Sequence, residues 1–459
     1  MKKKLSIIVA ALLVFALLAG CAPAPAPAAP EPDPPPAPAP APAPAPTPTP
    51  PAPPTPTPPP LPDDGFEVTE ITLVNNKPET DPMLRDFARV FYQHSGVTVN
   101  IVTFGGETPY AASLTAMFAA GDEPEIFVIE GMTDFVIARD AGRITSLNGQ
   151  PWTTDTDLAF VYGGTVYGFP VSIEGWGLAY NVELLARAGV DPSTMVNIEG
   201  MRAAFEQIES MRDELGIEAV VSMAAGAGMT WVTGIHGFNG YLALGVDYND
   251  HSYLERLMRG EVDVARLTAF AEYYDLIFRH SNSGRNTLLT GGYDDQLADF
   301  AVGRTVFLHQ GNWTDPAFAE LGVTFEMGYI PHAFLPHDTP GIFAGAPSWY
   351  LVNGQAAGIE AAKAFLAFMA GTPEGHDYMV NQAGMVAAFN SVTLSPEGSL
   401  SQAVQGFFDA GNIYPILATS MPAGFGMGTL GPIFELLASG AIDVPQFVDM
   451  VVAAVADIP

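Results

Sequence analysis

Four tryptophans stand where an apolar core would not call for them. Trp176, Trp231, Trp313 and Trp349 lie in stretches flanked by glycine, proline or polar residues, off any periodic apolar face, whereas the fifth, Trp152, reads as core. A flat indole offers an apolar face with a single N–H at its edge. Set beside fixed polar groups in a buried interface, such faces suit a ring with hydroxyls on its rim and C–H patches on its faces. The polar groups are at hand. Asn76, Lys77, Glu107 and Glu130 follow predicted strands, Glu174 sits on an extended crossover, and Asn312 precedes Trp313. Carboxylates accept hydroxyl protons, Lys77 donates, and the amides do both, although Asn76, Lys77 and Asn312 could instead cap neighbouring helices. The same glutamates could serve as the acid and base of a glycoside hydrolase, whose carboxylates must stand about 5–9.5 Å apart.

Other chemistries find no support. Gly426-Met427-Gly428-Thr429-Leu430-Gly431 fits G-x-G-x-x-G, but no β-branched strand precedes it, so a dinucleotide loop is not expected. The eight histidines include no H-E-x-x-H, and His309 reads as a strand residue and not as a metal ligand. No G-x-S-x-G elbow occurs. Neither a cofactor, a metal nor a catalytic residue is expected.

The elements that must position these groups alternate. Val68 to Asn75 reads as a strand, Asp81 to His94 as a helix with Leu84, Phe87 and Phe91 on one face and Gly96 as its stop, and Val97 to Phe104 as a strand. A helix over Pro109 to Ala120 and a strand over Glu125 to Glu130 follow. This β-α-β-α-β order predicts a parallel sheet covered by helices, with ligand-binding groups beyond the strands' carboxyl ends. Gly163-Gly164 between Val161-Tyr162 and Thr165-Val166-Tyr167 predicts a hairpin, which Pro170 should end for want of an N–H. Asn181 should cap a helix over Val182 to Ala188 that Gly189 closes. Further on, Glu199 to Leu215, capped by Asn197, and Val262 to Arg279 read as helices, Ala219 to Met223 and Val323 to Ile330 as strands, Pro331 to Pro340 as a returning hinge, and Gly424 to Gly431 as a bend.

Several of these segments together resemble the family 1 extracellular solute-binding proteins, the carbohydrate receptors of bacterial ABC importers, which include maltose-binding protein. Tyr167-Gly168-Phe169-Pro170, Trp176, Tyr180-Asn181 and Ala186 to Gly189 match the family's first interdomain connection in order. Phe300 to Trp313 is similar to its F-x-x-G-K-x-A-M…G-x-W element, whose Trp lines the cleft. Ala361 to Gly384 is similar to its A-x-x-F-L-x-F-L…S-P-E unit. The resemblance implies an α/β, periplasmic-binding-protein-like (type II) fold. Two α/β lobes, 66–172 plus 333–395 and 173–332 plus 396–459, would be joined by a multi-crossing hinge with the ligand cleft between them. It also implies a monomeric receptor that closes on a sugar or oligosaccharide and presents it to ABC-transporter permease subunits. A polyamine, metal chelate or phosphorylated polyol on the same fold is the alternative.

Composition agrees with an extracytoplasmic protein. Lys2-Lys3-Lys4 and the apolar run Leu5 to Ala19 have the form of a secretory signal over 1–20. Leu18-Ala19-Gly20-Cys21 looks like a lipobox, which implies lipidation of Cys21 and attachment to the membrane by that anchor alone at the cell surface or in the periplasm. Cys21 is the single cysteine, so no disulfide framework is possible. From Ala22 to Pro62 the chain holds 23 of its 42 prolines. With almost nothing apolar to bury, 21–65 reads as an extended, solvated tether. Without the three leader lysines, 15 Lys and Arg face 50 Asp and Glu. Nucleic-acid partners, which require a basic footprint, are therefore excluded.

Overall fold

The computed structural model describes residues 65–105, 110–281 and 287–458. The leader, Cys21, the proline-rich stretch to Asp64 and Glu107 lie outside the described residues. Among the described residues, no helix is long and apolar enough to cross a membrane.

The first lobe is built on β1 (Glu70–Asn75), β2 (Thr98–Thr103), β3 (Ile126–Ile129), β4 (Phe160–Tyr162) and β5 (Thr165–Pro170). Three helices connect or follow its parallel strands: α1 (Asp81–Ser95), α2 (Tyr110–Ala120) and α3 (Met132–Asp140). Helix α1 buries Leu84, Phe87, Ala88 and Phe91, a stripe at helical spacing, and ends at Gly96 with φ 74°. β1 pairs in parallel with both β2 and β3, as the alternating pattern required. Gly163 and Gly164, at φ 58° and 79°, make the β4–β5 hairpin turn.

Pro170 does not end the pairing: it stays in β5 opposite Trp349. The Val171 N–H donates to Ser348. By the alternation of the strand, the nitrogen of Pro170 therefore faces the β4 side, where the pairing has already ended with Phe160 opposite Gly168. Proline is tolerated where a ladder has no acceptor to offer.

Across the waist run β6 (Glu174–Trp176) and β7 (Leu178–Asn181), after which Asn181 caps the helix Val182–Arg187 by accepting from the Leu184 N–H at 3.0 Å. β7 enters a second, four-stranded sheet with β8 (Ala219–Ser222), β9 (Thr305–Leu308) and β10 (Met327–Ile330), in the order β10-β7-β9-β8. The helix expected over Glu199 to Leu215 is interrupted at Met211, giving Ile198–Ser210 and Arg212–Leu215. Its cap is Asn197, as the sequence implies.

The return path comprises β11 (Ile342–Gly345), β12 (Trp349–Val352) and β13 (Ile413–Tyr414). β12 inserts antiparallel between β3 and β5 and completes a six-stranded sheet, β2-β1-β3-β12-β5-β4. β11 pairs with β6 and β13 in a small sheet at the waist. The proline-rich stretch before β11 is laced to the second lobe by Ile198 N–H to Leu335, Thr339 N–H to Val196 and Asn197 to Asp338, and Ala333 and Phe334 are buried there. The chain passes from one apolar cluster to the other between Gly345 and Trp349.

Each lobe has its own core. In the first, Phe87 stacks on Tyr378 at 4.9 Å and Phe91 meets Phe365 edge-on at 5.2 Å, so α1 is held by helices about 280 residues later in the chain. In the second, Phe270 and Phe434 join the long helix Val264–His280 to the C-terminal helices. A third cluster, including Ile173, Ala344, Val386, Leu400 and Val404, packs around the crossings.

Candidate functional site

The loop ends that face the waist bring charge from the first lobe. Lys77, just past β1, forms a close ion pair with Glu174 of β6 and lies 3.9 Å from Glu79. Ser172 donates to the same Glu174 oxygen at 3.3 Å. Burial works against the charge on Lys77, yet Glu174, Glu79 and Glu130 outweigh it and hold the ammonium protonated well above its ordinary range. Glu130, after β3, accepts from Asn76 Nδ2 at 2.8 Å, and its own N–H donates to Asp134 at 3.0 Å. Solvent reaches Glu130, but protein encloses it on most sides. That desolvation, with the neighbouring Asp134 charge, raises its carboxyl pKa, and desolvation also raises that of Glu79.

The second lobe contributes rings. Trp176 stacks on His236 with centroids 4.5 Å apart and meets Trp313 at 6.2 Å. His236 also lies 5.0 Å from Trp313 and 5.1 Å from Trp231, and Trp231 is 6.0 Å from Tyr293. Of these rings Trp176 is sealed, 2 % exposed, and so backs the wall, whereas Trp313 is half-buried and lines the cleft. The orientation of Trp313 follows from its neighbours. Its indole lies over Gly311, where a Cβ would come within 2.0 Å of the ring. Its N–H donates to Gln310 at 3.2 Å, and Gln310 is held in turn by Gln296 at 3.0 Å. Asn312 is fully engaged: it accepts from the Gly175 N–H at 3.0 Å and reaches Ser401 at 3.4 Å.

A narrow cleft between the lobes is lined by Lys77, Glu79, Ser172, Glu174, Asn312 and Trp313. Of the expected site residues the structure therefore brings together Lys77, Glu174, Asn312 and Trp313 at the cleft. Trp176 and Trp231 stand in the wall behind, and Asn76 and Glu130 pair on the first-lobe side. Trp349 is held elsewhere: its ring meets Phe160 at 5.2 Å and its N–H donates to Leu158 at 2.7 Å, on the far side of β12 from Tyr350. Trp152 packs in the first-lobe core against Phe169. A wider groove between α1 and β2, lined by Arg85, Arg89, Tyr92 and Asn100, has a single aromatic ring, and both arginines are already paired with Asp81 and Asp86.

Sequence reading missed His236, Tyr293, Glu79 and Ser172. His236 had a signal, five residues past Trp231 in a glycine-rich run, but nothing marked the others. Burial, with His309 and Lys77 nearby, pushes His236 down to about 3, so its imidazole is neutral. It lies in the π-helix Val232–Gly237, and the G-x-G-x-x-G run is that element's partner. Gly424 to Gly431 is no bend but leads into a second π-helix, Phe425–Leu430. A Cβ on Gly234 would stand 2.0 Å from the Gly426 carbonyl oxygen, and one on Gly431 2.5 Å from Thr230 Cβ. Gly234, Gly426 and Gly431 are thus required by close approach and not by a phosphate, whereas a Cβ on Gly428 would meet nothing within 4 Å. His309 continues from β9 into a buried chain, its Nδ1 2.9 Å from His332 Nε2, with Tyr273 OH 2.8 Å from His332 Nδ1. Among the described residues no three His, Cys, Asp or Glu side chains gather as a metal site would require.

The comparisons with known proteins match this architecture. The model of the bacterial extracellular solute-binding protein family covers residues 84–405, and the chain belongs to that family. An uncharacterized ABC transporter extracellular-binding protein of Pyrococcus horikoshii is 22 % identical over 320 residues, 67 % of each chain. A sugar transporter of Bacillus licheniformis, solved in complex with stachyose, superposes with a TM-score of 0.67 at 18 % identity, covering 85 % of this chain and 100 % of its own. A chitin oligosaccharide binding protein does so with a TM-score of 0.68 at 18 % identity, covering 85 % and 98 %. The fold is the expected two-lobed α/β one, with the cleft at the waist.

Proposed function

We propose that the protein is the substrate-capturing component of an ABC importer, that its ligand is a sugar or oligosaccharide, and that it delivers this ligand intact to the permease. A lipidated Cys21 would tether it at the outer face of the membrane as a monomer. The chain would return to the first lobe at 346–348 and not at 333, since Ala333, Phe334 and Phe343 pack in the second-lobe core. The observation that carries the reading is the pairing of two unlike surfaces across one cleft: Trp313 on one side, and Lys77 with Glu174 and Glu79 on the other. An indole face suits the C–H patch of a pyranose, and fixed carboxylate and ammonium groups suit its hydroxyls. Behind the Trp313 ring, the buried Trp176 Nε1 and His236 Nδ1 have no hydrogen-bond partner among the described residues. The names of the sugar-binding structural relatives add support. A guest that touches both lobes favours the closed arrangement by its differential affinity for it.

Calorimetric titration with stachyose, raffinose and chito-oligosaccharides tests the reading. At least one is expected to bind, with recovery of uncleaved sugar. Trp313→Ala should weaken that binding about 10-fold while leaving the thermal midpoint within a few degrees. Failure of every sugar to bind, or cleavage of the bound one, would remove the proposal.

A further inference from the structure

On one flank of the cleft the two lobes touch through backbone. Thr133, in the first turn of α3, donates its hydroxyl to the Met421 carbonyl of the second lobe at 3.1 Å. Two residues earlier, Gly131 runs so close to the opposite chain that a Cβ would stand 2.8 Å from the Thr419 carbonyl oxygen and 3.3 Å from Ser420 Oγ. Gly131 itself is extended, with φ 172°, so its backbone would accept any residue; the obstacle to a side chain is the facing loop alone.

Both partners are rigid. Asn239, fully buried, grips the loop at three points: its Nδ2 donates to the Pro415 carbonyl at 3.0 Å, and its Oδ1 accepts from the Leu417 and Ala418 N–H groups at 2.8 and 3.0 Å. On the other side, Phe135 N–H to the Gly131 carbonyl at 3.1 Å and Glu130 N–H to Asp134 fix the start of α3. Glu130, one residue from the contact, holds Asn76 at the end of β1.

We infer that Gly131 and Thr133 form a latch with the Thr419–Met421 carbonyls that holds the lobes closed, and that they are positioning residues for ligand capture. The latch rests on the reading that the lobes open and close. Because it uses protein groups only, it biases closure whatever the guest. Two stiff surfaces meeting through one hydrogen bond and one side-chain-free approach form a contact that is either made or broken. Its presence shifts the closed-to-open ratio, and any ligand that needs the closed form gains by the same factor. A side chain at 131 would keep the contact from forming without touching the cleft.

The test needs no ligand. Spin labels are placed on cysteines replacing exposed Ile137 and Val264, one in each lobe, in the full chain carrying Cys21→Ser. Distance distributions are then measured by double electron–electron resonance. The parent should show a short-distance population. Thr133→Val should cut the closed-to-open ratio about 5-fold, the worth of one ordinary hydrogen bond. Gly131→Ala should cut it at least about 10-fold, as overpacking against a backbone oxygen does. Gly428→Ala, whose Cβ would meet nothing within 4 Å, should leave it unchanged, as should the thermal midpoint of each variant. An unaltered ratio in Thr133→Val and Gly131→Ala, with two populations present in the parent, overturns the latch and leaves lobe closure standing. A single distance shared by the parent and all variants overturns the latch together with the closure reading. If Gly131→Ala proves unfolded, the Thr133→Val ratio alone decides.

Discussion

The two rims of the cleft are made differently. The first lobe presents charge and amide at strand ends, in Asn76, Lys77, Glu79 and Glu130. The second presents stacked rings, in Trp176, Trp231, His236, Tyr293 and Trp313. The charged rim is local: each group needs only its own strand to end where it does. The aromatic rim is cooperative. Its rings come from four separate stretches and stand together because two π-helices touch through glycine and because Gly311 leaves room for an indole. A charged rim fails through an unpaired ion, an aromatic rim through a lost fit.

That contrast can be broken at its charged end first. Lys77→Met would strand Glu174 in a buried site with Ser172 as its remaining side-chain hydrogen-bond partner among the described residues. The expected loss is about 3–5 kcal/mol of unfolding free energy, since removing one partner of a buried pair leaves its charge uncompensated. Denaturant melts of the variant check it, and Lys77→Met with Glu174→Gln should recover part of the loss.

A smaller loss, about 2–3 kcal/mol, is expected for Trp349→Ala. Its partly buried indole packs on the first-lobe core beside Phe160 and satisfies the Leu158 carbonyl. Sugar affinity should hardly move, in contrast to Trp313→Ala. Equal affinity losses in the two variants would return Trp349 to the cleft.

Gly311→Ala sharpens the aromatic side. The methyl would push the Trp313 ring off its seat, so affinity should fall about 10-fold or more with a stability cost of about 1–3 kcal/mol. Titration calorimetry paired with thermal melts separates the two effects.

Proton linkage distinguishes the rims by sign. Burial holds His236 at about 3 and His309 at about 4, and His332 lies well below its usual range, while unfolded histidines titrate near 6.5. Below about pH 6.5 the unfolded chain binds protons that the folded one refuses. Stability should therefore fall on acidification towards pH 4, by up to about 1.4 kcal/mol per pH unit for each such group. Glu79 and Glu130 act oppositely: with raised folded pKa values they bind protons more readily when folded, which offsets part of the loss as pH falls. Unfolding curves at pH 7, 6 and 5 should show a shallower decline in His236→Phe and a steeper one in Glu130→Gln.

The alternating strands and helices of the first lobe, the Gly163-Gly164 hairpin and the caps at Asn181 and Asn197 were legible because each depends on a few neighbouring residues. So were Asn76, Lys77 and Glu130 as groups at strand ends. Glu174 and Asn312 were legible as polar groups, but not their jobs: one neutralises Lys77, the other clamps β6. Pro170 was misjudged because strand-end chemistry depends on which neighbour has already stopped. The four tryptophans looked alike in sequence, and the structure separates them into a sealed backing ring, a wall ring, a cleft ring and a core ring.

Local preference settles where the chain turns, which faces are apolar and which groups ride on loop ends, since backbone sterics and side-chain periodicity act over one or two turns. Whether an indole meets solvent, a histidine stays neutral or a glycine exists to let two backbones touch is decided by segments a hundred or more residues apart. Their approach is governed by close packing and desolvation, and neither is written in the spacing of any one stretch.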